Sequence, residues 1–115
     1  KLYNFLFEVQ ANCARKLVEG EDTRTIAKSV EYELNQRNCT LIHALGHGVG
    51  IDIHEKPILS VKSSTILKNN MVVTNEPGIY IPEDIGIRIE DTIVINDRIP
   101  KILTNSSKQL TIIDG

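Results

Sequence analysis

Apolar side chains recur at Leu2, Phe5, Leu6, Val9, Cys13 and Leu17, the three-and-four spacing of one helical face, and Gly20 stands where such a helix would stop. The pattern predicts a first helix from Leu2 to about Glu19. Glu21-Asp22-Thr23 then supplies capping side chains before a second stripe at Ile26, Ala27, Val30 and Leu34, so a second helix is predicted to end near Asn35 or Asn38. The chain changes character next. Gly46, Gly48 and Gly50 would each cost about 1 kcal/mol relative to Ala inside a helix, so this stretch reads as strand and turn.

Beyond Leu67 the period becomes two. Met71-Val72-Val73-Thr74 and Ile79-Tyr80-Ile81 read as strands, followed by a long alternating run through Ile85, Ile87 and Ile89 to Ile93-Val94-Ile95. Pro77-Gly78 and Pro82-Glu83-Asp84 interrupt them with turn chemistry. An exposed loop with a short turn is expected between Lys56 and Lys68, and Ser106-Ser107-Lys108 precedes an expected last strand at Leu110 to Ile113. Helices first and a mainly antiparallel sheet after predict an α+β domain whose helices cover one sheet face.

A chain of 115 residues buries one core but not two, and 41% hydrophobic with 24% charged residues is ordinary globular composition. Thirteen basic residues against fifteen acidic give a net charge of −2, and the basic ones are scattered, which argues against a nucleic-acid partner. No apolar run approaches the roughly 20 residues of a membrane span, and the first residues lack the apolar core and cleavage site of a signal peptide. A soluble, cytoplasmic protein with no membrane partner is expected. Cys13 and Cys39 show no metal-type spacing and are expected to be thiols rather than a disulfide.

All three histidines, His43, His47 and His54, fall in one short segment among three glycines, and two carboxylate motifs follow: Asn75-Glu76-Pro77-Gly78 and Arg88-Ile89-Glu90-Asp91. Imidazole and carboxylate together suit a hydrolytic metal. Glu76 and Glu90 lie among Val, Ile and Thr, where an ionised carboxylate must be neutralised by metal, paired, or turned to water. Arg88 stands two positions before Glu90 and reads as sharing its strand face; an ordinary surface ion pair explains those two equally well. His54-Glu55 begins like the zinc helix motif His-Glu-x-x-His, but Ile58 occupies the last position and Pro57 forbids the helix interior. Neither cysteine lies within the His43–His54 segment and no Gly-x-Ser-x-Gly elbow occurs, which disfavours a serine or cysteine nucleophile.

Taken together, His43-Ala-Leu-Gly-His47-Gly-Val-Gly, Asp52-Ile-His54-Glu-Lys-Pro57, Asn75-Glu76-Pro-Gly-Ile-Tyr80 and Gly86-Ile-Arg88-Ile-Glu90-Asp91 resemble the pita-bread-fold metallopeptidases. That family includes methionine aminopeptidase, prolidase and aminopeptidase P. His43, four residues before His47, and the Arg-x-Glu-Asp motif make the Xaa-Pro dipeptidases and aminopeptidases the nearest branch. Methionine aminopeptidases usually carry a histidine after the last metal glutamate, where this chain has Asp91, and rank second.

The resemblance implies a dinuclear centre in which His47 and Glu76 hold one metal ion and Glu90 bridges both. The two divalent ions would be manganese before cobalt or zinc. It further implies that Glu76 moves the proton of the attacking water, that His54 donates to the scissile carbonyl, that His43 lines the proline side, and that Arg88 orients neighbouring carboxylates. The substrates implied are short proline-containing peptides, and the full-length protein is expected to be a homodimer.

The departures matter equally. The family takes two further ligands from upstream aspartates, and the acids before the histidines here, Glu8, Glu19, Glu21, Asp22, Glu31 and Glu33, all read as helix or capping positions. Residues 1–115 are therefore expected to be part of a catalytic domain, its carboxyl-terminal portion, to be inactive or nearly so alone, and to expose apolar surface. Two other readings are a non-catalytic pita-bread binding module and a partner of a full-length enzyme.

Overall fold

The computed structural model of the chain describes residues 1–114. Helix α1 (Leu2–Lys16) buries Leu6, Val9, Cys13 and Ala14 along the expected stripe, together with the polar Gln10. It stops at Lys16 rather than near Glu19, because Leu17 leaves helical geometry to enter the core and the chain then turns at Gly20, whose φ is +92°. Helix α2 (Thr23–Asn35) starts on Asp22, whose side chain accepts the Arg24 N–H at 2.8 Å. Its end is closed by Asn38 at φ 56°, with the Cys39 N–H donating back to the Leu34 carbonyl at 3.0 Å. Lys16 Nζ donates to Ser29 Oγ at 3.0 Å and lies 3.6 Å from Glu33, tying the two helices together.

Among the described residues seven strands follow: β1 (Gly46–Gly48), β2 (Glu55–Leu59), β3 (Val72–Asn75), β4 (Gly78–Ile81), β5 (Ile85–Arg88), β6 (Asp91–Val94) and β7 (Lys101–Ile102). Five of them form an antiparallel sheet in the order β2-β1-β3-β6-β7, and β4 and β5 form a separate hairpin. Helices α1 and α2 pack on β3 and β2. The core between them joins Leu6, Val9, Leu17, Ile26, Val30 and Leu34 to Leu45, Leu59, Val73 and Ile93. The α+β class read from the sequence is the class observed.

Three local expectations are corrected. The stretch from Lys56 to Lys68 is not all loop: its first residues lie in β2, with Pro57 and Leu59 buried. Pro57 is tolerated because β2 is the sheet's edge, where a missing N–H need not break a ladder. No strand forms at Leu110 to Ile113; Ile112 and Ile113 are 81% and 87% exposed, and the final pairing is made earlier, by β7 against β6. The alternating run from Ile85 to Ile95 is two strands in different sheets, broken at Ile89 and Glu90, so Arg88 and Glu90 do not share a strand face. The expected exposed apolar surface is present: Ile42, Ile51, Ile53 and Ile99 all lie open to solvent.

Candidate metal centre

His47 is the middle residue of a three-residue strand held between two neighbours. A Cβ on Gly46 would overlap the Thr74 carbonyl in β3, and one on Gly48 would overlap the Lys56 carbonyl in β2. Glycine on both sides is what lets β1 fit between those backbones. The His47 N–H donates to Thr74 Oγ1 at 3.0 Å, which fixes the backbone of the histidine relative to β3.

The imidazole is fixed as well. His47 Nδ1 lies 2.9 Å from the Gly48 carbonyl oxygen, an acceptor, so Nδ1 carries a proton and the neutral ring has its lone pair on Nε2. That lone pair faces Glu76 Oε2 at 3.6 Å, beyond hydrogen-bond range, with both side chains about 15% exposed. A neutral imidazole nitrogen and a carboxylate oxygen at this separation are two donors that one cation between them would satisfy.

Glu76 and Glu90 leave the same end of two paired strands. Asn75, the last residue of β3, pairs with Asp91, the first of β6, so the residues just beyond them emerge side by side. The Glu76 N–H is anchored on the Leu45 carbonyl at 2.8 Å, and the Ile89 N–H on the Pro77 carbonyl at 3.3 Å. Partial desolvation first, then a hydrogen bond to Glu76 and repulsion from its charge, push the Glu90 carboxyl above the ordinary carboxylate range, while Arg88 and His47 pull the other way. Arg88 Nε stands 3.9 Å from Glu90 Oε2, with the side chains 53% and 44% exposed, a contact that solvent largely screens.

The His54 ring meets the His47 ring edge-on, with centroids 4.6 Å apart. His54 is exposed at the end of a loop whose turn is held by the Asp52 N–H donating to Glu55 Oε2 at 2.8 Å. His43 is turned elsewhere. Its Nδ1 donates to the Ala44 carbonyl at 2.7 Å, so Nε2 accepts from the Tyr80 hydroxyl at 2.9 Å. The same ring borders a cavity of about 240 Å³ with Glu31, Ile42, Ser60 and Lys62.

Of the six residues singled out in the sequence, His47, Glu76 and Glu90 are thus gathered at one end of the sheet. His54 and Arg88 flank them, and His43 stands with Tyr80. Among the described residues no group of three or more His, Cys, Asp or Glu side chains already surrounds one point closely enough to hold an ion. The donor chemistry nevertheless fits one: two donors each about 2.1 Å from a tetrahedral ion lie about 3.4 Å apart, near the observed His47–Glu76 separation. The crowding of Glu76 on Glu90 points the same way.

Thr74, Asn75, Tyr80 and Gln10 also position these residues or their strands. Of these, Gln10 carries a signal in the sequence, as a polar residue on the buried stripe of α1.

Residues 1–97 match the profile of metallopeptidase family M24. The Xaa-Pro dipeptidase of Pyrococcus furiosus is 39% identical over 113 residues, which cover 96% of this chain and 32% of that protein. Among solved structures, the Xaa-Pro dipeptidase from Bacillus anthracis superposes with a TM-score of 0.92 at 35% identity, over 96% of this chain and 32% of that one. The X-Pro aminopeptidase from Thermotoga maritima superposes at 0.90 with 27% identity, over 96% and 32%. The chain spans about a third of the length of each of these relatives. Its architecture is a portion of the pita-bread fold seen in such neighbours.

Proposed function

Because this chain belongs to metallopeptidase family M24, we propose that it supplies the carboxyl-terminal part of the catalytic domain of a dinuclear exopeptidase cleaving the bond before proline in short peptides. The observation that carries this reading is His47 Nε2 facing Glu76 Oε2 at 3.6 Å, where the strand ends bearing Glu76 and Glu90 lie side by side. A binding module without metal has no use for that arrangement.

In this reading His47, Glu76 and Glu90 hold divalent ions, manganese first, with the remaining ligands contributed by other segments of the polypeptide. Bound ions supply a water that ionises near neutral pH and a Lewis acid for the scissile carbonyl. Glu76 accepts the proton of the attacking water and delivers it to the leaving proline nitrogen. His54 donates to the carbonyl oxygen as charge develops there, a type of contact worth about 3–4 kcal/mol of transition-state stabilisation. Arg88 steers the Glu90 carboxylate. His43, oriented by the Tyr80 hydroxyl, lines the proline side. We place the enzyme in the cytoplasm as a homodimer, where the exposed Ile42, Ile51 and Ile53 meet other polypeptide surface.

The test is proline release. The polypeptide that carries these residues, supplied with manganese, is expected to hydrolyse Xaa-Pro dipeptides, whereas residues 1–115 alone are expected to turn over none. Turnover of amino-terminal Met peptides with none of Xaa-Pro peptides would overturn the assignment in favour of a methionine aminopeptidase.

A further inference from the structure

A buried polar network lies on the helix side of the sheet, behind the carboxylates. Asn75 and Asp91 are cross-strand partners, and both are buried, at 0% and 1% exposure. Their bonds to Gln10 turn these two toward α1, while Glu76 and Glu90 lie just beyond the paired strand ends.

A single helix residue holds both. The Gln10 carbonyl accepts from Asn75 Nδ2 at 3.0 Å, and Gln10 Nε2 donates to Asp91 Oδ2 at 2.7 Å. Asp91 Oδ1, which has no hydrogen-bond partner of good geometry, faces Lys108 Nζ at 3.1 Å. Lys108 is far along the chain from all of these. It arrives on the segment after β7, which is stitched down by the Leu103 N–H on the Thr92 carbonyl at 2.8 Å, by the Thr92 N–H on Thr104 Oγ1 at 2.9 Å, and by the Tyr3 hydroxyl on the Lys108 carbonyl at 2.5 Å.

We infer that Lys108 is a positioning residue of the metal centre, acting through Asp91 and Gln10 to fix the strand ends from which Glu76 and Glu90 emerge. Asp91 is one peptide bond from Glu90, and a buried carboxylate that loses its cation either moves toward water or admits water beside it. Either motion displaces the first residue of β6, and Glu90 with it. Asn75 gives the same control over Glu76, since its amide is tied to the residue that also holds Asp91.

The sign of the effect separates positioning from simple electrostatics. Lys108 is a positive charge beside Asp91, the residue next to Glu90, so its removal by Coulomb's law alone would, if anything, tighten metal binding. Positioning requires the opposite. The inference rests on the metal-site reading above, and its test reads binding rather than catalysis.

Manganese is titrated calorimetrically into the metal-free polypeptide that carries these residues, as wild type, Lys108→Met and Lys108→Arg, at a temperature where melting curves show each fully folded. Lys108→Met is expected to weaken manganese binding about 10-fold, and Lys108→Arg to return it to within about 2-fold of wild type. Unchanged or tighter binding by Lys108→Met overturns the inference while leaving the metal site standing. Equal weakening in the Met and Arg variants also overturns it, since a cation facing Asp91 would then not be the cause. If Lys108→Met fails to fold, Lys108→Gln keeps a donor to Asp91 and is expected to weaken binding about 3-fold; unchanged or tighter binding there overturns the inference. Wild type that binds no manganese overturns the metal-site reading and this inference together.

Discussion

Replacing Gly46 by Ala probes how β1 presents His47. A Cβ at this position would lie 2.8 Å from the Thr74 carbonyl carbon and 3.1 Å from Thr74 Oγ1, with the carbonyl oxygen closer still. Ordinary contact begins near 3.4 Å, and the obstacle is strand backbone, which cannot rotate away. Strands β1 and β3 must separate locally. Overpacking of this kind costs about 1–3 kcal/mol, and loss of the His47 N–H bond to Thr74 Oγ1 adds about 1 kcal/mol. The expected loss is about 2–4 kcal/mol. Gly50→Ala is the comparison, because there the added methyl would meet the carboxyl end of Glu55, a side chain that can move aside by giving up its bond from the Asp52 N–H, and the expected cost is about 1 kcal/mol. Urea unfolding followed by circular dichroism on the polypeptide that carries these residues measures both. Equal stability of the two variants would refute the claim that glycine is required for the close approach of β1 to β3.

Further outcomes follow from single contacts. Burial pushes the Cys13 thiol up to about 12, so at about pH 8 an aromatic disulfide reagent should modify only Cys39 in the folded chain and both thiols in urea; rapid reaction of two thiols in the native protein would contradict the buried placement. Hydrogen bonds from the Ser64 hydroxyl and then the Arg24 N–H hold the Asp22 carboxyl below its ordinary value of 3.8, so its stabilisation is complete above that value and is lost as pH falls through the lower folded one. Asp22→Ala should therefore melt lower than wild type at about pH 7, with the gap closing toward about pH 2; a gap independent of pH would contradict the sign. His54→Ala should cut turnover about 100- to 1,000-fold while metal content stays at the wild-type level, and parallel loss of both would remove the assigned role of carbonyl donor.

Both helices were legible because each rests on one unbroken apolar stripe with its own terminator. The errors share a cause, which is that pairing is not a local property. Pro57 reads as a loop residue until the strand holding it is known to be an edge. Leu110 to Ile113 has the composition of a strand and no partner strand among the described residues, so its isoleucines lie exposed. The break between Arg88 and Asp91 is hidden in the run of isoleucines, since β5 and β6 carry the same alternation while belonging to different sheets.

The site shows the same division. His47, Glu76 and Glu90 stood out as chemistry-bearing residues in recognisable motifs, and the structure gathers them. What holds them could not be read from neighbours in sequence. Thr74 grips the His47 backbone across 27 positions, Tyr80 orients His43 across 37, and Gln10 reaches Asp91 across 81. Only Gln10 announced itself, by placing an amide where the helix stripe demanded an apolar residue.

An anomalous-scattering map at the manganese edge, from crystals of the polypeptide carrying these residues grown with that ion, would show whether His47, Glu76 and Glu90 hold metal. Peaks are expected about 2.0–2.3 Å from His47 Nε2 and from carboxylate oxygens of Glu76 and Glu90. Manganese bound elsewhere, with His47 Nε2 bare and Glu76 turned to solvent, would contradict that assignment.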